Sequence, residues 1–223
     1  MAYGFATNTP YGLKPYRYQG NSLWDEGFTT YRIPTAYNQS LFIGDPVGLA
    51  SGYIVRATIG VPIIGVFRGC DYVDANGEEK FSEYWAANTP LFSAGTYAKC
   101  KVVDDPSVLF DIQIGTSGGP SAAPSFIVTN IGNNAQFDSV AGTYNALPSG
   151  IVPAPNPITG NPKNGLSAYY LSSATISTAN PTYNLKIIDL IPKVGNDAGV
   201  IFNSALVKIN NHQFNGGTGT AGA

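Results

Sequence analysis

The clearest patterning lies in residues 41–67, LFIGDPVGLASGYIVRATIGVPIIGVF. It divides into three short strands joined by tight turns. Gly44-Asp45-Pro46 interrupts the first apolar run and Ala50-Ser51-Gly52 turns the second. Tyr53, Val55 and Ala57 alternate with Ile54, Arg56 and Thr58, the period of two of a strand with one buried face. Residues 63–67 form a short run of mostly β-branched apolar residues and predict a fully buried strand. Further on, residues 97–103 and 108–114 predict a hairpin joined by Asp104-Asp105-Pro106-Ser107. Its second strand places Val108, Phe110, Ile112 and Ile114 on one face and Leu109, Asp111 and Gln113 on the other. Strands are also predicted over 168–171, 183–191 and 205–209, the last with Ala205, Val207 and Ile209 on one face and Leu206 and Lys208 on the other.

The intervening stretches carry other signals. Residues 71–83 are polar, with Ala75-Asn76-Gly77 as a hairpin-type turn. Residues 81–87 read as one helical turn or an irregular segment, 126–128 as strand-like, and 130–141 fit neither period. Residues 1–40 form an aromatic arm in which Tyr11, Tyr16, Tyr18, Trp24, Phe28 and Tyr31 recur without periodicity, and Pro10, Pro15 and Pro34 exclude a long helix. Such an arm lies either on the following domain or on a neighbouring subunit. Residues 151–162 form a long Pro-rich loop, of a length usually reserved for function or for packing on a partner. Residues 215–223 are a Gly/Thr/Ala tail with nothing to bury.

The fold class that follows is all-β, a barrel or sandwich with an extended N-terminal arm and long loops. The organisation is an arm over 1–40, a β domain over 41–210 and a Gly-rich tail over 211–223. The β domain is either single or split into subdomains 41–114 and 165–210, bridged by a Gly/Pro-rich loop region.

Composition narrows the function classes. Charged residues are 12% of the 223, about half the usual share, and the net charge is −2. A surface that poor in charge suits a protein that works against other protein. No basic footprint for nucleic acid and no polybasic patch for a membrane is present. The first residues, Met-Ala-Tyr-Gly-Phe-Ala, lack a basic segment followed by an apolar core, so no secretory signal is expected. Cys70 and Cys100 are then expected as free thiols in a reducing compartment.

No constellation makes an enzyme. Gly115-Thr116-Ser117-Gly118-Gly119-Pro120 resembles the nucleophile box of chymotrypsin-like proteases, but the single histidine, His212, follows Ser117 where that order needs it before. A glycine turn after a strand explains the box. Asp74-Ala75-Asn76-Gly77-Glu78 puts its glycine fourth, where a calcium loop needs it sixth. Cys70, Cys100 and His212 lack zinc-site spacing. No metal and no cofactor is expected. Asn210, Asn211 and His212 follow a strand as a polar cluster, either backbone-capping amides or interface hydrogen bonds.

Two segments carry a resemblance. Leu41-Phe-Ile-Gly-Asp-Pro-Val-Gly-Leu, Gly52-Tyr-Ile-Val-Arg-Ala and Pro62-Ile-Ile-Gly-Val together resemble the Gly-Asp-x-Val…Gly…Ile-x-Gly-Val pattern of tailed-bacteriophage head-decoration proteins. Val207-Lys-Ile-Asn-Asn-His-Gln-Phe and Gly216-Gly-Thr-Gly-Thr-Ala-Gly also resemble a phage structural protein. The resemblance implies a β-tulip-like or jelly-roll-like cement protein, made in the host bacterial cytoplasm and carried on the capsid surface of the virion. It would be non-enzymatic and oligomeric, a homotrimer or else a dimer, and would clamp neighbouring major capsid subunits. Tyr16, Tyr18, Trp24 and Tyr31, with Asn210, Asn211 and His212, are the candidate contacts, since large aromatics dominate interfaces. Another virion part (minor head, tail or fibre protein) and a carbohydrate-binding β-sandwich are the alternatives.

Overall fold

The structure, a computed structural model, describes residues 10–93, 95–115, 126–139, 160–161, 164–199 and 203–215. The Ser117 box, the loop over 151–159 and the tail from 216 lie outside them. Sixteen strands run in order: β1 Lys14–Tyr18, β2 Thr29–Pro34, β3 Leu41–Phe42, β4 Pro46–Ala50, β5 Tyr53–Arg56, β6 Gly65–Val73, β7 Glu79–Ser82, β8 Tyr84–Trp85, β9 Tyr97–Val103, β10 Val108–Gly115, β11 Asn134–Ser139, β12 Gly160–Asn161, β13 Leu166–Ser167, β14 Tyr169–Ser177, β15 Leu185–Leu190 and β16 Ser204–Ile209. The chain is all-β; among the described residues the one helical element is a 3₁₀ turn over Val128–Asn130.

Five strands close on themselves in the order β10-β14-β11-β15-β16, with β16 pairing back to β10. The barrel interior is filled from alternate positions: Phe110 and Ile112 from β10, Phe137 from β11, Leu171 from β14, Ile187 from β15 and Val207 from β16. These are the faces the alternation in β10 and β16 predicted. β14 meets β10 only at Ile114 and Gly115. The rest of that edge of β10 would be left unpaired, and β1 covers it from Val108 to Asp111.

The second sheet has the order β2-β9-β6-β4-β5, with β7 also on β6. Its core holds Ile33, Leu41, Ile54, Phe67, Trp85 and Val102. β6 and β9 are a wall common to both cores. Val66 and Val103 face the barrel while their chain neighbours Phe67 and Val102 face the second core.

Several expectations change here. β9 and β10 are strands, but they do not pair as a hairpin: β9 lies between β2 and β6, and β10 sits in the barrel. The reason is that β10 is apolar on both faces, with Leu109 packed beside Leu206 and Ile191 behind the barrel wall. A two-stranded hairpin cannot cover both faces, so the Asp105 turn sends β10 into the second body. β10 therefore pairs with β14 and β16 in the barrel and with no strand of the second sheet. Residues 79–85 form two short strands, and 126–128 leads into the 3₁₀ turn with Phe126 buried. In the described part of the arm, β1 pairs along the edge of β10 outside the closed ring and β2 edges the second sheet, so both lie on the chain's own sheets.

Candidate functional site

The predicted contact residues divide into two sets. Asn210, Asn211 and His212 turn inward, with exposures of 9%, 2% and 1%. The Asn210 amide donates to the carbonyls of Pro181 and Tyr183, both at 3.0 Å, and that of Asn211 to Thr182 at 3.1 Å. The backbone N–H of Phe214 donates to His212 Nδ1 at 3.1 Å, which fixes the ring proton on Nε2, facing the Asp104 carbonyl at 3.1 Å. Burial lowers the His212 pKa. These three side chains cap backbone inside the chain, the other of the two roles their sequence allowed, and present no free surface.

The same segment stitches the two bodies together. Ile63 donates to the Asn211 carbonyl at 3.0 Å and accepts from the Gln213 N–H at 2.8 Å. The Gln213 side chain brackets Leu49, accepting its N–H at 2.8 Å and donating to its carbonyl at 3.1 Å. Asn184, fully buried, does the same to the loop before Ile63: Oδ1 accepts from Gly60 N–H at 3.0 Å and Nδ2 donates to the Val61 carbonyl at 2.7 Å.

The aromatic candidates are more accessible. Tyr16 is exposed on β1. The Tyr18 hydroxyl donates to Asp25 at 2.5 Å, which holds that carboxyl below its usual range. Trp24 packs against the barrel core and lies under the Arg68 guanidinium, 5.4 Å from its ring. The Tyr31 hydroxyl donates to Asp104 at 2.6 Å, and burial with that bond raises its pKa. Asp104 thus brings Tyr31 and His212 together, one on its carboxylate and one on its carbonyl.

Two regions have the form of sites. The first is the outward face of the second sheet, where Val73, Phe81 and Tyr97 line a shallow groove beside Asp71, Lys80 and Lys99. Phe81 is 76% exposed, and Phe92, 61% exposed, stands at the end of this face against Gly77. The Arg32 guanidinium sits 4.4 Å above the Tyr97 ring.

The second is a cleft of about 390 Å³ where β1, β6 and β10 meet. Tyr11 and Asp111 lie within it beside Lys14, Arg68 and Lys193. The Tyr11 hydroxyl donates to Asp111 at 2.5 Å and lies 3.0 Å from Ser204 Oγ, which also accepts from Lys193 Nζ at 2.7 Å. Burial raises the Asp111 pKa; burial and the nearby carboxylate raise that of Tyr11. Lys193 with Ser204 has the composition of a nucleophile and base, yet Ser204 is only 1% exposed and its hydroxyl is held by three neighbours. The pair orients the wall of the cleft and offers no open nucleophile.

Backbone geometry shapes this cleft. A bulge between Phe67 and Cys70 interrupts the β6–β9 register, with Gly69 at φ +122°. It allows Phe67 and Cys70 both to face the second core and leaves Arg68 directed to the cleft. Gly12 and Gly44, with φ of +72° and +96°, cross at close approach: a Cβ on Gly12 would lie 2.5 Å from the Gly44 carbonyl oxygen. Sequence reasoning did not single out Arg68, Lys14 or Lys193; the isolated Gly69 in a strand was the available signal of a bulge.

Among the described residues no group of three or more His, Cys, Asp or Glu side chains gathers where it could hold a metal ion. Cys70 and Cys100 are free, buried and directly opposite in register. No protein-family model, curated protein or solved structure matches the chain.

Proposed function

We propose that the chain is a structural protein of a bacteriophage particle that binds the outside of the capsid and cements neighbouring major capsid subunits, itself assembled as a homotrimer. The outward face of the second sheet carries this reading. Phe81 and Tyr97 stand exposed there beside Arg32, Lys99 and Asp71. Aromatics and arginine at the centre with charges around them is the make-up of a protein-binding patch. The charge-poor composition supports the same role, because few ions have to be desolvated on docking. The work is binding alone: a protein that binds only the assembled shell stabilises it by mass action.

The test is co-sedimentation of the purified chain with empty shells assembled from the major capsid protein of the same particle. Saturable binding in a fixed ratio to the shell subunit, lost in Phe81→Ser/Tyr97→Ser, is the expected result. Shells that sediment without the chain would refute the cement role. A handful of copies per particle would indicate a tail or minor head part instead.

A further inference from the structure

We propose that the cleft between β1, β6 and β10 binds a small, doubly charged oxyanion, a phosphate monoester or a dicarboxylate, carried on a short apolar body. Three cations, Lys14, Arg68 and Lys193, line the cleft with one carboxylate, Asp111, while Glu26 and Glu83 act on Arg68 from outside the lining. Arg68 is the decisive residue. It is partly buried under a cation–π contact with the Trp24 ring, and the carboxylates that act on it, Glu26 and Glu83, do so from beyond ion-pair distance. Charged groups withdrawn from water are ordinarily paired, and a guanidinium is shaped to take two oxygens of one carboxylate or phosphate at once.

Asp111 does not supply that pairing: it lies beyond ion-pair distance of Arg68 and takes the Tyr11 hydroxyl at 2.5 Å on the cleft wall. The remaining cations are well placed. Lys14 stands opposite Asp111 in the β1–β10 register. The turn carrying Lys193 is pinned by the buried Asn196, whose amide donates to the Ile191 and Ser204 carbonyls, both at 2.8 Å. Leu13, Ile43 and Leu166 supply apolar walls for the body of the ligand. The volume lies within the range of small-molecule sites.

Calorimetric titration of the full chain with phenyl phosphate, phenylsuccinate and neutral benzyl alcohol tests this, with circular dichroism to verify folding. One of the two anions is expected to bind with a Kd of about 1 mM or tighter, and the alcohol not to bind. Arg68→Gln should weaken binding at least about tenfold, and Lys193→Met or Lys14→Met, both on exposed side chains, about three- to tenfold. If Arg68→Gln does not fold, Arg68→Lys keeps the charge without the fork and should still weaken binding. Asp111→Asn, which keeps an acceptor for Tyr11, should tighten it. Which anion binds separates a phosphate ligand from a dicarboxylate. Absence of binding by both anions at tenfold higher concentration, or affinity unchanged by the arginine and both lysine substitutions, would overturn the proposal.

Discussion

Asn184→Ala is the sharpest test of how the two bodies are joined. Its amide makes two hydrogen bonds across the junction, to Gly60 at 3.0 Å and to Val61 at 2.7 Å. A net value of about 1 kcal/mol each gives roughly 2 kcal/mol lost. The full penalty for orphaned partners does not apply, since Gly60 and Val61 are exposed and water can take over. For a chain of this size that corresponds to a Tm lower by about 4–8 °C. The two tryptophans allow each body to be followed separately: Trp24 packs on the barrel core and Trp85 is buried in the second core. In urea the two signals, isolated in Trp85→Phe and Trp24→Phe backgrounds, should coincide while the junction is intact. Asn184→Ala should lower the midpoint, and adding Gln213→Ala should separate the two transitions. Amide exchange at Gly60 should quicken. An unfolding free energy within about 0.5 kcal/mol of wild type, or an unchanged Gly60 amide, would refute the view of Asn184 as a joint.

Other substitutions probe other links. Gly12→Ala should destabilise by about 2 kcal/mol or more in thermal melts, because it combines a positive φ with contact against Gly44 and Ser167. The single histidine makes a pH test clean. With the His212 pKa depressed by burial, the unfolded chain binds more protons just below pH 6.5. Stability should therefore fall as pH drops through 6.5 toward the lower folded pKa, and His212→Gln should flatten that slope in urea melts between pH 5 and 7. Cys70 is pushed up to about 12 by burial and Cys100 is raised well above its ordinary value, so a chromogenic disulfide reagent should titrate no thiol in the native chain and two after unfolding.

What was legible in the sequence was whatever strand periodicity encodes. The inward faces of β10 and β16 and the break at Gly44-Asp45-Pro46 follow from alternation and turn chemistry, which are local. Strand partners are not local. The hairpin predicted for β9 and β10 rested on proximity along the chain, and the apolar second face of β10, led by Leu109, was the overlooked reason for it to leave β9. The polar cluster after β16 shows the same limit. Asn210, Asn211 and His212 look like surface chemistry when read in order, but their partners, Thr182, Tyr183 and Asp104, come from distant turns. Buried amides that finish the hydrogen bonding of irregular backbone are written like interface amides, and only the folded chain distinguishes them. The cleft lies at the far end of this scale. Its cations come from positions 14, 68 and 193, none in a motif with another, and they meet because β1 fills the edge of β10 that β14 leaves open while a one-residue bulge turns Arg68 toward them. Removing that bulge by deleting Gly69 should restore plain alternation, with Phe67 and Cys70 still facing the second core and Arg68 still on the cleft side, but it straightens the local twist and shifts β6 beyond Arg68 by one residue, so anion binding should weaken with every charged residue still in the chain.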